Sequence, residues 1–127
     1  MGCISIVGRL YARYVAGSVI IVGAGPAGTA AAIELARAGA DVTVIDKAAF
    51  PRDKCCGDGL TSGALRHLDY LGLDPADVPT WQPVTNVWIT RPSGDTMLLP
   101  LPQGPGQFAA TAARQDLDMA LVNLAVK

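Results

Sequence analysis

The sequence predicts a mixed α/β fold that contains a parallel βαβ unit, and three observations in residues 19–46 support this prediction. Residues 19–22 are a short, β-branched apolar run with the composition of a buried strand. A Gly-rich turn, GAGPAG, follows and leads into an Ala-rich segment typical of a helix. A second β-branched run then ends on Asp46. Two such strands joined by a helix form a parallel pair.

The glycines of the turn suit the phosphates of a dinucleotide. Gly23 allows a tight turn, Gly25 lets the backbone approach a pyrophosphate, and Gly28 lets the helix pack closely on the strand. The first turn of the helix then presents free N–H groups and the positive end of the helix dipole to the phosphate charges. We therefore predict a nucleotide-binding unit. The alternative is a Gly-rich βαβ turn that binds nothing.

The acid at the end of the second strand predicts how the sugar is bound. Asp46 lies at the spacing expected for a carboxylate that accepts hydrogen bonds from a ribose. Its negative charge argues against a 2′-phosphate on that ribose, although the neighbouring Lys47 weakens this point.

A membrane-spanning or exported segment is the competing interpretation of residues 15–33. The stretch carries no charge, and Arg9 and Arg13 precede it. However, it contains four glycines and Pro26, which would break a spanning helix, and a strand pattern follows directly. We therefore expect neither insertion nor export.

Composition sets further limits on function. The net charge of −1 favours neither a nucleic-acid partner nor an anionic membrane surface. Three cysteines cannot form a disulfide framework and fit a reducing cytoplasm, so we expect a cytoplasmic protein. The sequence has no clustered His and Cys ligands, and we expect no metal site.

The segments after Asp46 alternate between loops and short elements. Residues 47–59 are too polar and too rich in Gly and Pro for a strand. Thr61 can cap a helix that runs to about Leu71 and ends at Gly72. A turn-rich linker over residues 74–83 follows.

The last third of the chain predicts a hairpin, a strand and a helix. Residues 84–90 and 96–101 are two apolar runs joined by a turn, which favours a β-hairpin. A short strand near Phe108 leads into a final helix. We place Asp116 and Asp118 in the first turn of that helix, where acids interact well with the dipole.

Taken together, the GAGPAG turn, Asp46, the loop FPRDKCCGDGL and the later RQDLDMAL resemble the FAD-dependent geranylgeranyl reductase family. These flavoproteins share the aromatic-hydroxylase fold. The resemblance covers residues 18–127 and leaves residues 1–17 as an unassigned N-terminal extension. It implies the N-terminal part of a Rossmann-like FAD/NAD(P)-binding domain, with a hairpin insertion at about residues 84–101 in a second, substrate-side layer. We expect an incomplete domain that is inactive alone.

The same resemblance implies a reaction. The cofactor would be FAD, and the full enzyme would reduce isoprenoid double bonds of a prenyl lipid or quinone, with NAD(P)H or a ferredoxin as electron donor. It would associate peripherally with the membrane surface that holds its substrate. Two alternatives stay open: an aromatic hydroxylase or halogenase of the same fold, and a nucleotide-binding fragment without turnover.

Site residues follow from the resemblance at matching positions only. No catalytic residue is assigned. Cys56 is a candidate flavin-side residue rather than a nucleophile, because no base lies near it in sequence. The alternative to a flavin contact is that Cys56 is a buried apolar residue. Arg114 is expected to contact the cofactor, and the alternative is that it is a solvated residue at the start of the helix. The family often has proline where this chain has Cys55. The expected cofactor-binding residues are Gly23, Gly25, Ala27, Gly28, Asp46, Lys47, Cys56, Gly57, Gly59 and Arg114.

Overall fold

The structure is a computed structural model and describes residues 2–7, 17–56, 58–102 and 108–127. The α/β class predicted from the sequence is confirmed. The strands are β1 (Gly2–Val7), β2 (Ser18–Val22), β3 (Asp41–Asp46), β4 (Gly59–Thr61), β5 (Gln82–Pro83), β6 (Asn86–Thr90), β7 (Thr96–Pro100) and β8 (Ala109–Thr111). The helices are α1 (Pro26–Arg37), α2 (Ser62–Leu71) and α3 (Arg114–Ala125), with a 3₁₀ turn at Pro75–Asp77.

The predicted βαβ unit forms the first sheet, whose order is β1-β3-β2. Strands β2 and β3 run parallel, and α1 crosses between them. Val42 and Val44 alternate toward the buried face of this sheet, as expected for half-buried strands. The side chains of Ile20 and Val22 lie on the opposite face and are 68% and 81% exposed. The helices therefore cover one face of the sheet.

Strand β1 was not predicted, because residues 1–17 match no pattern in the sequence. It pairs with β3 in antiparallel register, with Gly2 opposite Asp46 and Val7 opposite Asp41. The sheet is thus mixed, with β3 at its centre. Among the described helices, none is long and apolar enough to cross a membrane.

The second sheet has the order β4-β8-β5 and lies beside α2. The predicted limits of α2 are confirmed: Thr61 caps its start by accepting a hydrogen bond from the backbone N–H of Ala64, and Gly72 ends it with a φ of 87°. The sequence predicted β8 but not β4 and β5, which fall in regions that read as loop and linker. The segment of β4 consists of Gly59, Leu60 and the helix cap Thr61, and β5 has two residues and ends on Pro83, so neither segment has the composition of a strand.

The predicted β-hairpin is confirmed as β6 and β7, with Trp88 opposite Leu98. Every residue of both strands is exposed. The hydrophobic core instead lies between α1, α3 and the buried face of the first sheet, with Ala32 and Leu121 at most 1% exposed. Small side chains on α1 let α3 pack closely against it. This packing places the start of α3 next to the Gly-rich turn.

Gly28 should be indispensable for the fold, because a Cβ there would overlap the carbonyl oxygen of Gly23. We expect Gly28→Ala to destabilise the chain by about 3 kcal/mol, the upper range for overpacking. The matched control is Gly63→Ala in α2, where the added Cβ meets nothing closer than 3.8 Å. Denaturant unfolding should show the control as stable as the parent or up to about 1 kcal/mol more stable. Equal effects of the two substitutions would contradict the tight packing of Gly28.

Candidate functional site

A cleft of about 780 Å³ lies where the β2–α1 turn, the end of β3, the loop over residues 47–56 and the start of α3 meet. Parallel α/β units bind ligands at this end, beyond the carboxyl ends of the strands. Most of the cofactor-binding residues expected from the sequence line it. They are Gly23, Gly25, Ala27, Gly28, Asp46, Lys47 and Arg114.

The other expected residues lie beside the cleft. Cys56 and Gly59 line an adjoining, mainly apolar cavity of about 280 Å³, and Gly57 lies outside the described residues. Pro26 and Arg114 line both spaces, so the two lie side by side at these residues. The side chain of Cys56 is exposed, and its alternative role as a buried apolar residue is therefore wrong.

The Gly-rich turn presents backbone rather than side chains to the cleft. Gly23 has a φ of 108°, and its N–H donates to the carbonyl of Ile45 at 2.7 Å. Gly25 caps α1 without a side-chain hydrogen bond, and no acid lies in the first turn. A Cβ on Gly25 would lie 3.3 Å from Nη2 of Arg52. A positive helix end and a guanidinium thus face the same space, which suits an anion.

Asp46 supports the turn as well as facing the cleft. Its Oδ2 accepts from the N–H of Ala24 at 2.7 Å, and its Oδ1 accepts from the N–H of Ala48 at 2.9 Å. The hydrogen bonds from Ala48 and Ala24 hold the pKa of Asp46 below its ordinary value. The carboxylate is therefore charged at neutral pH. Each oxygen keeps a further lone pair with which it can accept from a ribose hydroxyl.

Asp118 is the buried centre of the site. The sequence placed it in the first turn of α3 as a dipole partner, and that prediction is wrong: its side chain is 0% exposed and pairs with two arginines. Arg114 donates from Nε and Nη2 to the two carboxylate oxygens, both at 3.0 Å. Arg52 lies 3.3 Å away through its Nη2. A buried carboxylate requires such partners to offset its desolvation.

Arg114 is held in place rather than solvated, which overturns its alternative role as a helix-start residue. Its side chain is 16% exposed. Hydrogen bonds to Asp118 and then to Cys56 raise the pKa of Arg114 above its ordinary value. The backbone N–H of Arg114 also donates to Oδ1 of Asp58 at 3.3 Å, and this contact joins the end of the loop to α3.

Arg52 is the site residue that sequence reasoning missed. Its guanidinium stacks on the ring of Phe50 at 4.8 Å and projects over Gly25. It stands within the FPRDKCCGDGL loop that carried the family resemblance, and that loop is the signal by which it could have been found. Its pairing with Asp118 joins residues far apart in sequence and leaves no local pattern.

Comparison with known families agrees with this geometry. The family described as "FAD binding domain" matches residues 16–117. The chain belongs to this family. The FAD cofactor expected from the sequence is therefore confirmed by the domain family.

Two curated relatives of this FAD-binding domain are reductases. The menaquinone reductase of Mycobacterium tuberculosis strain H37Rv is 67% identical over 55 residues, which are 43% of this chain and 14% of that protein. Digeranylgeranylglycerophospholipid reductase 2 of Methanopyrus kandleri is 35% identical over 83 residues, 65% of this chain and 20% of that protein. The chain thus spans a fifth or less of the length of these relatives.

Solved structures extend the similarity to the fold. A geranylgeranyl bacteriochlorophyll reductase-like protein from Thermoplasma acidophilum matches with a TM-score of 0.65 and 28% identity, over 85% of this chain and 27% of that one. Flavin-dependent halogenases are also among the similar structures. The resemblance to an FAD-dependent, geranylgeranyl reductase-like family is therefore confirmed.

The ion pairs of Asp118 should dominate the stability of the site. We expect Asp118→Asn to destabilise the chain by about 3 kcal/mol, because it leaves two part-buried guanidinium groups without their counter-ion. The control is Asp116→Asn, which removes an acid from the first turn of the same helix and should cost at most about 1 kcal/mol. Urea unfolding of both variants measures the difference. Comparable losses would show that the buried pairs contribute little.

Proposed function

We propose that this chain holds FAD in the cleft for an oxidoreductase that reduces isoprenoid double bonds of a prenyl lipid or quinone. One observation carries the proposal. The Gly-rich turn, the open N-terminus of α1 and the guanidinium of Arg52 converge on one space, and a charged carboxylate lies beside it. This combination suits a dinucleotide, which has a diphosphate next to a ribose.

The pyrophosphate would lie at Gly25 and the first turn of α1. The backbone N–H groups there donate hydrogen bonds without a basic side chain, while Arg52 adds a positive charge from the opposite side. The adenosine ribose would lie at Asp46, with Lys47 next to it. Gly23 and Gly28 keep the turn narrow enough for the cofactor to approach the backbone.

The flavin end would extend past Arg114 toward the adjoining cavity, where Cys56 and Gly59 lie. When bound, FAD supplies the hydride-transfer chemistry. The residues of this chain bind and orient it: Arg114 is fixed by Asp118 and so places a donor at the junction of the two spaces. Leucines of α2 and α3 line the cavity and make it apolar.

The substrate class rests on the relatives. A menaquinone and a digeranylgeranylglycerophospholipid are named for the two reductases, and both compounds carry isoprenoid chains. The proposal includes NAD(P)H or a ferredoxin as electron donor and a cytoplasmic enzyme at the membrane surface. The similarity to flavin-dependent halogenases favours a flavin-dependent halogenation as second candidate.

Binding of ADP and adenosine to the chain tests the cleft directly. We expect Asp46→Ala to weaken the binding of both ligands by about 1.5–3 kcal/mol, the range for hydrogen bonds to charged groups, because both contain the ribose. Arg52→Gln should weaken the binding of ADP but leave that of adenosine unchanged, since only ADP has phosphates. Asp41→Ala, at the other end of β3, is the control and should change neither. NMR titration measures all four proteins. Equal effects of Arg52→Gln on the two ligands would contradict its phosphate role.

Deletion of the gene that encodes this chain tests the reaction. We expect quinones or membrane lipids of the deletion strain to keep isoprenoid double bonds that the parent strain saturates, because the reductase is missing. In mass spectrometry, each retained double bond makes the compound lighter by two hydrogens than the saturated compound of the parent strain. Complementation with the intact gene is the control. An unchanged isoprenoid profile together with loss of a halogenated metabolite would favour the second candidate instead.

A further inference from the structure

Two cysteines stand next to each other beside the adjoining cavity, and one of them, Cys56, lines it. Cys55 and Cys56 lie at the end of the described loop over residues 47–56, and both side chains are exposed. Cys56 lines the cavity together with Pro26 and Arg114, the residues shared with the cleft. Small molecules in solution can therefore reach both thiols.

The surroundings distinguish one thiol from the other. Arg114 hydrogen bonds to Cys56, and its guanidinium is fixed by two hydrogen bonds to buried Asp118. A fixed cation favours the thiolate form of a neighbouring cysteine, and the thiolate is the form that attacks disulfides. Because Cys56 adjoins this cation, it should be the more reactive of the pair.

We propose that Cys55 and Cys56 form a thiol–disulfide exchange site at the edge of the cofactor cleft, and that its substrates are low-molecular-weight disulfides. Cys56 is the attacking residue and Cys55 the resolving residue. The exchange reaction requires only these residues and does not depend on FAD. Only the position of the site beside FAD rests on the proposed function.

The reaction proceeds in two balanced steps. The Cys56 thiolate attacks one sulfur of the small disulfide, forms a mixed disulfide and expels the other half as a thiolate. Cys55 loses its proton to solvent and attacks Sγ of Cys56, which expels the second half. Two electrons pass from the cysteine pair to the small disulfide, which leaves as two thiols.

Adjacency makes the oxidised pair easy to reduce. The Cα atoms of neighbouring residues are about 3.8 Å apart across a trans peptide bond, whereas ordinary disulfides span about 4.4–6.8 Å. The resulting ring is strained, and strained, exposed disulfides have more oxidising potentials. The site should therefore return to its reduced form at modest thiol concentrations, as a reversible modification requires.

Mass spectrometry after treatment with oxidised glutathione tests the proposal. All proteins carry Cys3→Ser, so that the third cysteine does not contribute. The parent should lose two thiols without a lasting glutathione adduct. Cys55→Ser should accumulate one glutathione on Cys56, because no resolving thiol is left. Cys56→Ser should react at least about tenfold more slowly.

The two single variants serve as matched controls for each other, since both change an exposed residue of the same loop. Equal rates in the two variants, or a glutathione adduct that persists in the parent, would overturn the proposal. Added FAD should slow alkylation of Cys56 more than that of Cys55. If FAD has no effect while the difference between the variants persists, the exchange site stands and the proposed FAD position fails.

Discussion

The buried carboxylate of Asp118 is the constraint on which the arrangement of the site depends. It lies in the second turn of α3, which packs on α1, and it holds two arginines that come from separate parts of the chain. The loop after β3 is thereby tied to the helix core through charge, in addition to the apolar contact that Phe50 makes with the core. The desolvation of Asp118 is tolerated because each oxygen accepts hydrogen bonds in good geometry. Loop and cleft thus share one electrostatic support.

This support also sets the charge of the cleft. Arg52 and Arg114 are partly neutralised by Asp118, and both line the cleft, while Arg114 also lines the adjoining cavity. Asp46 supplies a negative charge beside the Gly-rich turn, where its hydrogen bonds to the backbone N–H groups of Ala48 and Ala24 keep it ionised. The cleft thus has a cation over Gly25 and a carboxylate next to the same turn. The cation suits a diphosphate, and the carboxylate suits the hydroxyl groups of a sugar.

Local signals in the sequence were sufficient for much of the fold. The βαβ unit follows from β-branched runs around a Gly-rich turn, and α2 follows from its Thr61 and Gly72 caps, because these patterns act over a few residues. Pairings between distant segments left no such pattern. Strand β1, the short strands β4 and β5, and the contact between Arg52 and Asp118 all belong to this group. The sequence placed Asp118 in the first turn of the last helix because a local rule, dipole stabilisation, also explains an acid there.

The apolar surfaces that stay hydrated in this fold affect how its stability varies with temperature. The outer face of β2, with Ile20 and Val22, and both faces of the hairpin are already in contact with water. Unfolding exposes less further apolar area there than at buried surfaces, and the heat-capacity change of unfolding scales with newly exposed apolar area. The chain should consequently have a smaller heat-capacity change than a domain of equal length that buries these surfaces. Its free energy of unfolding then varies less with temperature, and cold denaturation occurs at a lower temperature.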